Sequence, residues 1–216
     1  MRLYKKCSLI LCTALLLVNA AYVHAAGITV AHAELVAVDE VYHLNADFEI
    51  SFSHELEEAI NKGIALNFLI EFVLMEPHKY WMDEEATSTS MGAKLAYHAL
   101  SRQYLLTLGK HQASYVTLAE ALEALSKLRG LPVVEKSALK KETNYYALLR
   151  LRLDQTRLPK PLQVSAIGSD GWNLVSDRFR WSPNFDKPGL DKSSLDKSSL
   201  DKSSLDKSNL DKLEKQ

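Results

Sequence analysis

Leu44-Asn45-Ala46-Asp47-Phe48-Glu49-Ile50-Ser51-Phe52 (LNADFEISF, residues 44–52) decides the fold. Leu44, Ala46, Phe48, Ile50 and Phe52 are apolar, and the residues between them are polar. Successive strand side chains point to opposite faces, so this period of two predicts a β-strand with one buried face and one wet face. Tyr145–Asp154 repeats the pattern: Tyr145, Ala147, Leu149, Leu151 and Leu153 alternate with Arg150, Arg152 and Asp154. In Ile64–Leu74 the even positions are apolar throughout, and Leu69 and Val73 add apolar residues to the other face. That predicts a central strand covered on both sides. Weaker strand patterns run over Ile28–Val38, Lys94–Leu108 with a phase slip near Ser101, Leu162–Ile167 and Trp172–Trp181. Ser169-Asp170-Gly171 between the last two has hairpin chemistry.

Two helices interrupt these strands. Thr117-Leu118-Ala119-Glu120 is a capping box, in which the Thr117 hydroxyl accepts from the Glu120 amide and the Glu120 carboxylate reaches back. Leu118, Ala121, Leu122, Leu125 and Leu128 then share a face, with Gly130 and Pro132 as the expected stop. A shorter helix begins at Ser53, carries Glu55 and Glu57 in its first turn, turns Leu56, Ala59 and Ile60 inward and ends at Gly63. Seven or eight short strands with two inserted helices and no βαβ rhythm predict a mainly β chain. Its expected form is an antiparallel β-sandwich, of which the immunoglobulin arrangement is one type. An α+β layered fold is the alternative.

The ends lie outside this domain, which is expected over residues 26–182. Arg2, Lys5 and Lys6 precede an apolar stretch from Cys7 to Val18, and Val23-His24-Ala25 offers small residues for cleavage after Ala25. This predicts a secretory signal over residues 1–25 and a periplasmic location. The apolar run is shorter than the ~20 residues of a spanning helix. An uncleaved N-terminal anchor in the inner membrane is the alternative. Leu11 before Cys12 and Lys6 before Cys7 lack the small residue a lipoprotein signal needs, so no lipid anchor is expected. Both cysteines lie in the signal, which leaves the exported part without a thiol. From Leu190 the chain repeats LDKSS, with one leucine in every five residues. That spacing forms no apolar stripe on a helix and alternates faces on a strand, so residues 183–216 are expected to be a disordered tail.

The chain's 216 residues carry 26 Lys and Arg against 27 Asp and Glu, a formal charge of −1. The signal holds three bases and no acid, so its removal leaves −4, and the tail from Asp186 is neutral. A mildly acidic domain has no basic excess for nucleic acid.

Catalytic and cofactor motifs are absent from the sequence. His32, His43 and His54 fall eleven residues apart, without the i,i+4 or alternate-residue spacing that brings histidines onto one ion, so no metal is expected. There is no nucleophile elbow, phosphate loop or dinucleotide glycine pattern, and no cofactor is expected. Asp83, Glu84 and Glu85 are neighbours in one turn and do not flank a sugar.

Aromatic and polar residues in expected loops stand out instead. Tyr80, Trp81 and Asp83 follow Pro77, Trp172 and Asn173 follow the Asp-Gly turn, and Arg178 precedes Phe179-Arg180-Trp181. Lys160 sits in Arg157-Leu158-Pro159-Lys160-Pro161-Leu162, expected to be a stiff extended connection. Large aromatics beside Arg and Asp are the residues that anchor protein contacts, and they are equally suited to closing the ends of a sandwich.

Taken together, LNADFEISFSHELEEAINKGIALNFLIEF, YWMDEE, LAYHALSRQYLLT, TLAEALEALSKLRG and LRLRLDQTRLPKPLQVSAIGSDGWNLVSDRFRW resemble the proteobacterial family named domain of unknown function 4390, over about residues 28–182. The resemblance implies an exported envelope protein without an assigned activity. It also implies genes beside a membrane sensor kinase of the nitrogen-regulation type and a ribosomal RNA methyltransferase. It carries over no catalytic residues, and the LDKSS tail is not part of the family pattern. The expected function is therefore a non-enzymatic periplasmic binding module with an envelope protein partner. A hydrolase of an envelope polymer with a dispersed site and a structural envelope component are the alternatives.

Overall fold

The computed structural model describes residues 26–140, 143–166 and 168–185. The expected signal and repeat tail lie outside these residues, apart from the tail's first three. The chain runs β1 (Gly27–Val38), β2 (Val41–Ser51), α1 (His54–Asn61), β3 (Leu66–Glu76), β4 (Glu84–His98), β5 (Gln103–Leu108), β6 (His111–Tyr115), α2 (Leu118–Leu125), β7 (Lys127–Glu135), β8 (Tyr146–Leu153), α3 (Lys160–Ala166) and β9 (Phe179–Trp181). Two antiparallel sheets result, one ordered β1-β2-β7 and the other β6-β5-β4-β3-β8-β9. The second is a four-strand meander extended by β8 and β9, so the strand order is not the immunoglobulin one.

The alternation that predicted β2 holds from Leu44 to Phe48, while Ile50 is only half-buried and the strand ends at Ser51, before Phe52. Leu44, Ala46 and Phe48 are buried, with Asn45 and Asp47 on the other face. Opposite them on β1 stand Leu35, Ala33 and Val30. The inner face of β8 is likewise buried, from Ala147 to Leu153. These residues meet Phe68, Ile70, Phe72 and Leu74 of β3 and the buried faces of α1 and α2 in one core. Thr89 of β4 donates to the Val133 carbonyl of β7 at 3.3 Å, joining the two sheets.

Strand β3 is central by pairing, between β4 and β8. Its second face is not covered as expected. Leu69 and Val73 are only half-buried and open onto grooves of the outer sheet surface. The Lys94–Leu108 pattern resolves into two strands, with a turn at residues 99–102 where Arg102 takes φ 53°. The phase slip near Ser101 was this turn.

Five further expectations are corrected. Helix α2 ends at Leu125, and Leu128 belongs to β7, which runs through Gly130 and Pro132. Proline is tolerated because β7 is an edge strand. Glycine is needed because residue 130 has φ 68°, where its amide donates to Asn45 Oδ1 at 3.0 Å and the β2–β7 register shifts. Residues 162–166 of the expected strand Leu162–Ile167 form α3 instead, and Ile167 lies outside the described residues. Pro161 in its first turn lacks only an amide that would have no helical partner there. The connection expected to be extended at 157–162 is therefore a 3-10 turn leading into a helix. Only Phe179–Trp181 of the expected strand Trp172–Trp181 is strand, with a lone bridge at Val175; Asp170–Trp172 is a 3-10 turn rather than a hairpin.

The capping box of α2 forms as expected. Thr117 Oγ1 accepts from the Glu120 amide at 3.2 Å, and Glu120 Oε2 accepts from the Thr117 amide at 3.4 Å. Thr117→Ala is expected to cost about 1 kcal/mol, and Thr117→Ser much less, in chemical denaturation. Equal losses for both variants would show that the hydroxyl is not the capping group.

Candidate functional site

Strands β3 and β4 are joined by a hairpin loop over residues 77–83, and its tip is apolar. Tyr80, Trp81 and Met82 are 80%, 70% and 89% exposed. The base of the loop is fixed by Asp83. Its Oδ1 accepts from the His78 amide at 3.2 Å, and its Oδ2 accepts from the Tyr146 hydroxyl of β8 at 2.6 Å. Beside the tip, the Trp81 ring lies 5.3 Å from that of His78, and the Lys79 ammonium lies 5.4 Å from the Tyr80 ring centroid. The Arg180 guanidinium stacks on Tyr146 at 3.6 Å.

These contacts shift two protonation equilibria. The Tyr146 hydroxyl, then the His78 amide, hold the Asp83 carboxyl below the ordinary range, with the positive field of Arg180 adding to them. Donation to Asp83 raises the Tyr146 phenol above its ordinary value, and burial and the carboxylate charge act in the same direction. A carboxyl depressed in the folded state stabilises above its unfolded pKa, and this contribution is lost as pH falls through the folded value. The anchored loop base is therefore expected to outlast ordinary carboxylate titration on acidification. Tyr146→Phe should move the Asp83 midpoint upward in a carboxyl-carbon NMR titration; an unmoved midpoint would count against the hydroxyl as its main cause.

From the hairpin the outer face of the six-stranded sheet continues as a groove of about 510 Å³. Val73, Met75 and Leu148 make it apolar, Ser88 and Ser90 lie on its β4 side, and Arg150 and Arg178 on its β8 side. Glu71 is shared by two arginines: Arg152 Nη2 at 3.3 Å and Arg150 Nε at 3.7 Å. The second distance is an ion pair without a hydrogen bond, and Arg150 Nε is buried with no hydrogen-bond partner among the described residues.

The expected site residues thus separate. Tyr80, Trp81 and Asp83 share the hairpin loop, and Arg178 lines the adjoining groove. Trp181 points inward, 6.2 Å from Phe72, with its Nε1 buried and without a hydrogen-bond partner among the described residues. Trp172 is buried in the turn that Ser53, the N-cap of α1, holds through the Gly171 carbonyl at 2.8 Å. Asn173 is exposed beside it, and Lys160 is exposed at the start of α3. Trp172 and Trp181 close the core, whereas Tyr80 and Trp81 take no part in it.

Tyr146, Glu71, Arg150 and Arg152 form the surface with them and were not singled out from sequence. The wet face of β8 shows Arg150 and Arg152, but their convergence on Glu71 depends on the register that sets Glu71 opposite Arg150. His98 Nδ1 lies 2.9 Å from the Ser101 hydroxyl in an exposed turn, and His111 is exposed at the start of β6. Among the described residues no group of three or more His, Cys, Asp or Glu is placed to hold a metal ion. No helix among them is long and apolar enough to cross a membrane.

No curated protein and no solved structure matches the chain. The family model of domain of unknown function 4390 matches residues 25–182, from just before β1 to just past β9. With the match covering the whole two-sheet domain, the chain belongs to the family defined by domain of unknown function 4390.

Proposed function

We propose that this chain is a non-enzymatic binding module of the bacterial cell envelope, exported to the periplasm by a cleaved signal. Its contact surface is the β3–β4 hairpin tip with the adjoining outer groove. The observation that carries this reading is the run of three large, highly exposed side chains, Tyr80, Trp81 and Met82, on a loop whose base is fastened by Asp83. Isolated exposed apolar residues are ordinary on protein surfaces, but a contiguous group marks a contact site. A fastened loop also avoids the ordering cost that a loose one would incur on binding. The groove adds Arg178, which has no ion-pair partner among the described residues, beside apolar Val73 and Leu148. The partner class is a membrane-associated envelope protein, with the extracytoplasmic part of a sensor kinase the one implied by the family resemblance.

Site-specific photocrosslinking in intact cells tests this reading. A photoreactive residue at position 81 or 178 should yield discrete crosslinks to envelope components, and the same residue at exposed Lys160 should not. Crosslinks of equal yield and pattern at all three positions, or none at 81 and 178, would overturn it.

A further inference from the structure

We infer that the Tyr80-Trp81-Met82 tip inserts into the headgroup–acyl boundary of a phospholipid bilayer and seats the module on a membrane surface. The inference rests on the reading of this tip as a contact element and names what the tip touches. Its first support is area. Three large side chains on one loop present on the order of 500 Å². A stable protein interface takes about 800 Å² from each partner. At the loop itself the tip has charged shoulders, because Glu84 and Glu85 are exposed at the start of β4 and Lys79 adjoins the other side, so the tip projects as a small apolar unit apart from the groove. A small apolar projection with charged shoulders suits a deformable medium better than a flat protein face.

The second support is chemistry. Trp and Tyr concentrate where bilayer meets water, because their rings bury while the indole N–H and phenol O–H stay among headgroups. Met82 adds a flexible apolar side chain, and Lys79 has the reach to set its ammonium at phosphate level. The third support is local order, since both oxygens of Asp83 are engaged in holding the loop base. The nearby formal charges are Lys79 against Asp83, Glu84 and Glu85, a local acidic excess, so the attraction comes from apolar burial rather than from anionic lipid. Binding to neutral phosphatidylcholine vesicles should persist in high salt.

The test uses the exported chain and its W81A variant, with matching N-termini verified by mass spectrometry so that any contribution of that end cancels. Trp172 is buried and Trp181 half-buried, so Trp81 is the tryptophan that responds to vesicles. Phosphatidylcholine vesicles should shift its emission to the blue, and lipids brominated near the headgroup should quench it. In vesicle cosedimentation W81A should bind about 20-fold more weakly, as expected for a large apolar side chain kept out of the bilayer. No association, equal association of W81A, or binding confined to anionic vesicles at low salt would each overturn the inference. If vesicles fail while position 81 still crosslinks to an envelope protein, the tip is a protein contact and the broader reading stands. If both fail, both fall.

Discussion

Trp172→Ala is expected to cost about 3–5 kcal/mol of folding stability, against a change within about 0.5 kcal/mol for Trp81→Ala. The difference follows from placement alone. Trp172 is 6% exposed and Trp81 is 70% exposed. Trp172 also belongs to a tightly bonded turn. Its carbonyl accepts from Gln155 Nε2 at 2.8 Å, and the preceding Gly171 carbonyl accepts from the hydroxyl that caps α1. Removing the ring leaves a void between this turn and α1, and the bonds on either side limit how far the turn can collapse into it. Urea denaturation checks both variants: Trp172→Ala should lower the midpoint with little change in slope. A Trp81→Ala loss as large as that of Trp172→Ala would mean that the tip packs in the folded protein, and the contact surface proposed for it would be lost.

Two tryptophans that look alike as sequence thus do opposite things, and this marks how far the sequence could be read. Strands with a buried face announce themselves, because burial imposes a period of two: β2 and β8 show it, and both form. The capping box and its helix are legible for the same local reason. What is illegible is set by pairing. The first half of β4, Glu84–Gly92, is mostly exposed and its Glu, Thr and Ser carry no apolar alternation, so nothing but its register with β3 makes it a strand. Strand β6 is an exposed edge of the same kind. In β7, Gly130 and Pro132 look like a helix stop, yet an edge strand with a bulge accepts both.

The site divides along the same line. Tyr80, Trp81 and Asp83 follow a strong strand and were visible as an aromatic loop. The Tyr146 anchor lies 63 positions away from Asp83, and the meeting of Arg150 and Arg152 on Glu71 bridges about 80. No local pattern encodes such partners. Arginines on a wet strand face look solvated until the neighbouring strand supplies a shared carboxylate.

The core beneath this surface gives the other large effect. Phe72→Ala is expected to cost about 3–5 kcal/mol. Phe72 is fully buried, faces Leu149 on β8 and Thr89 on β4, and meets the Trp181 ring at 6.2 Å. Because β3 is bonded on both sides, its backbone resists moving inward to fill the void, which places the substitution at the costly end of its class. Phe72→Leu keeps most of the volume and should cost about 1.5 kcal/mol or less. Trp181 should behave differently despite touching the same ring. Its Nε1 is buried without a hydrogen-bond partner among the described residues, and such an unsatisfied donor costs about 1–3 kcal/mol. Trp181→Phe loses packing area but removes that donor, so the two terms oppose and the net change should stay within about 1 kcal/mol. The Phe72→Ala/Trp181→Phe double-mutant cycle separates the ring contact from the donor, since only the contact depends on Phe72. If Trp181→Phe alone costs as much as Phe72→Ala, the indole N–H is satisfied in the folded protein, and Trp181 holds β9 to the sheet by a hydrogen bond as well as by its ring.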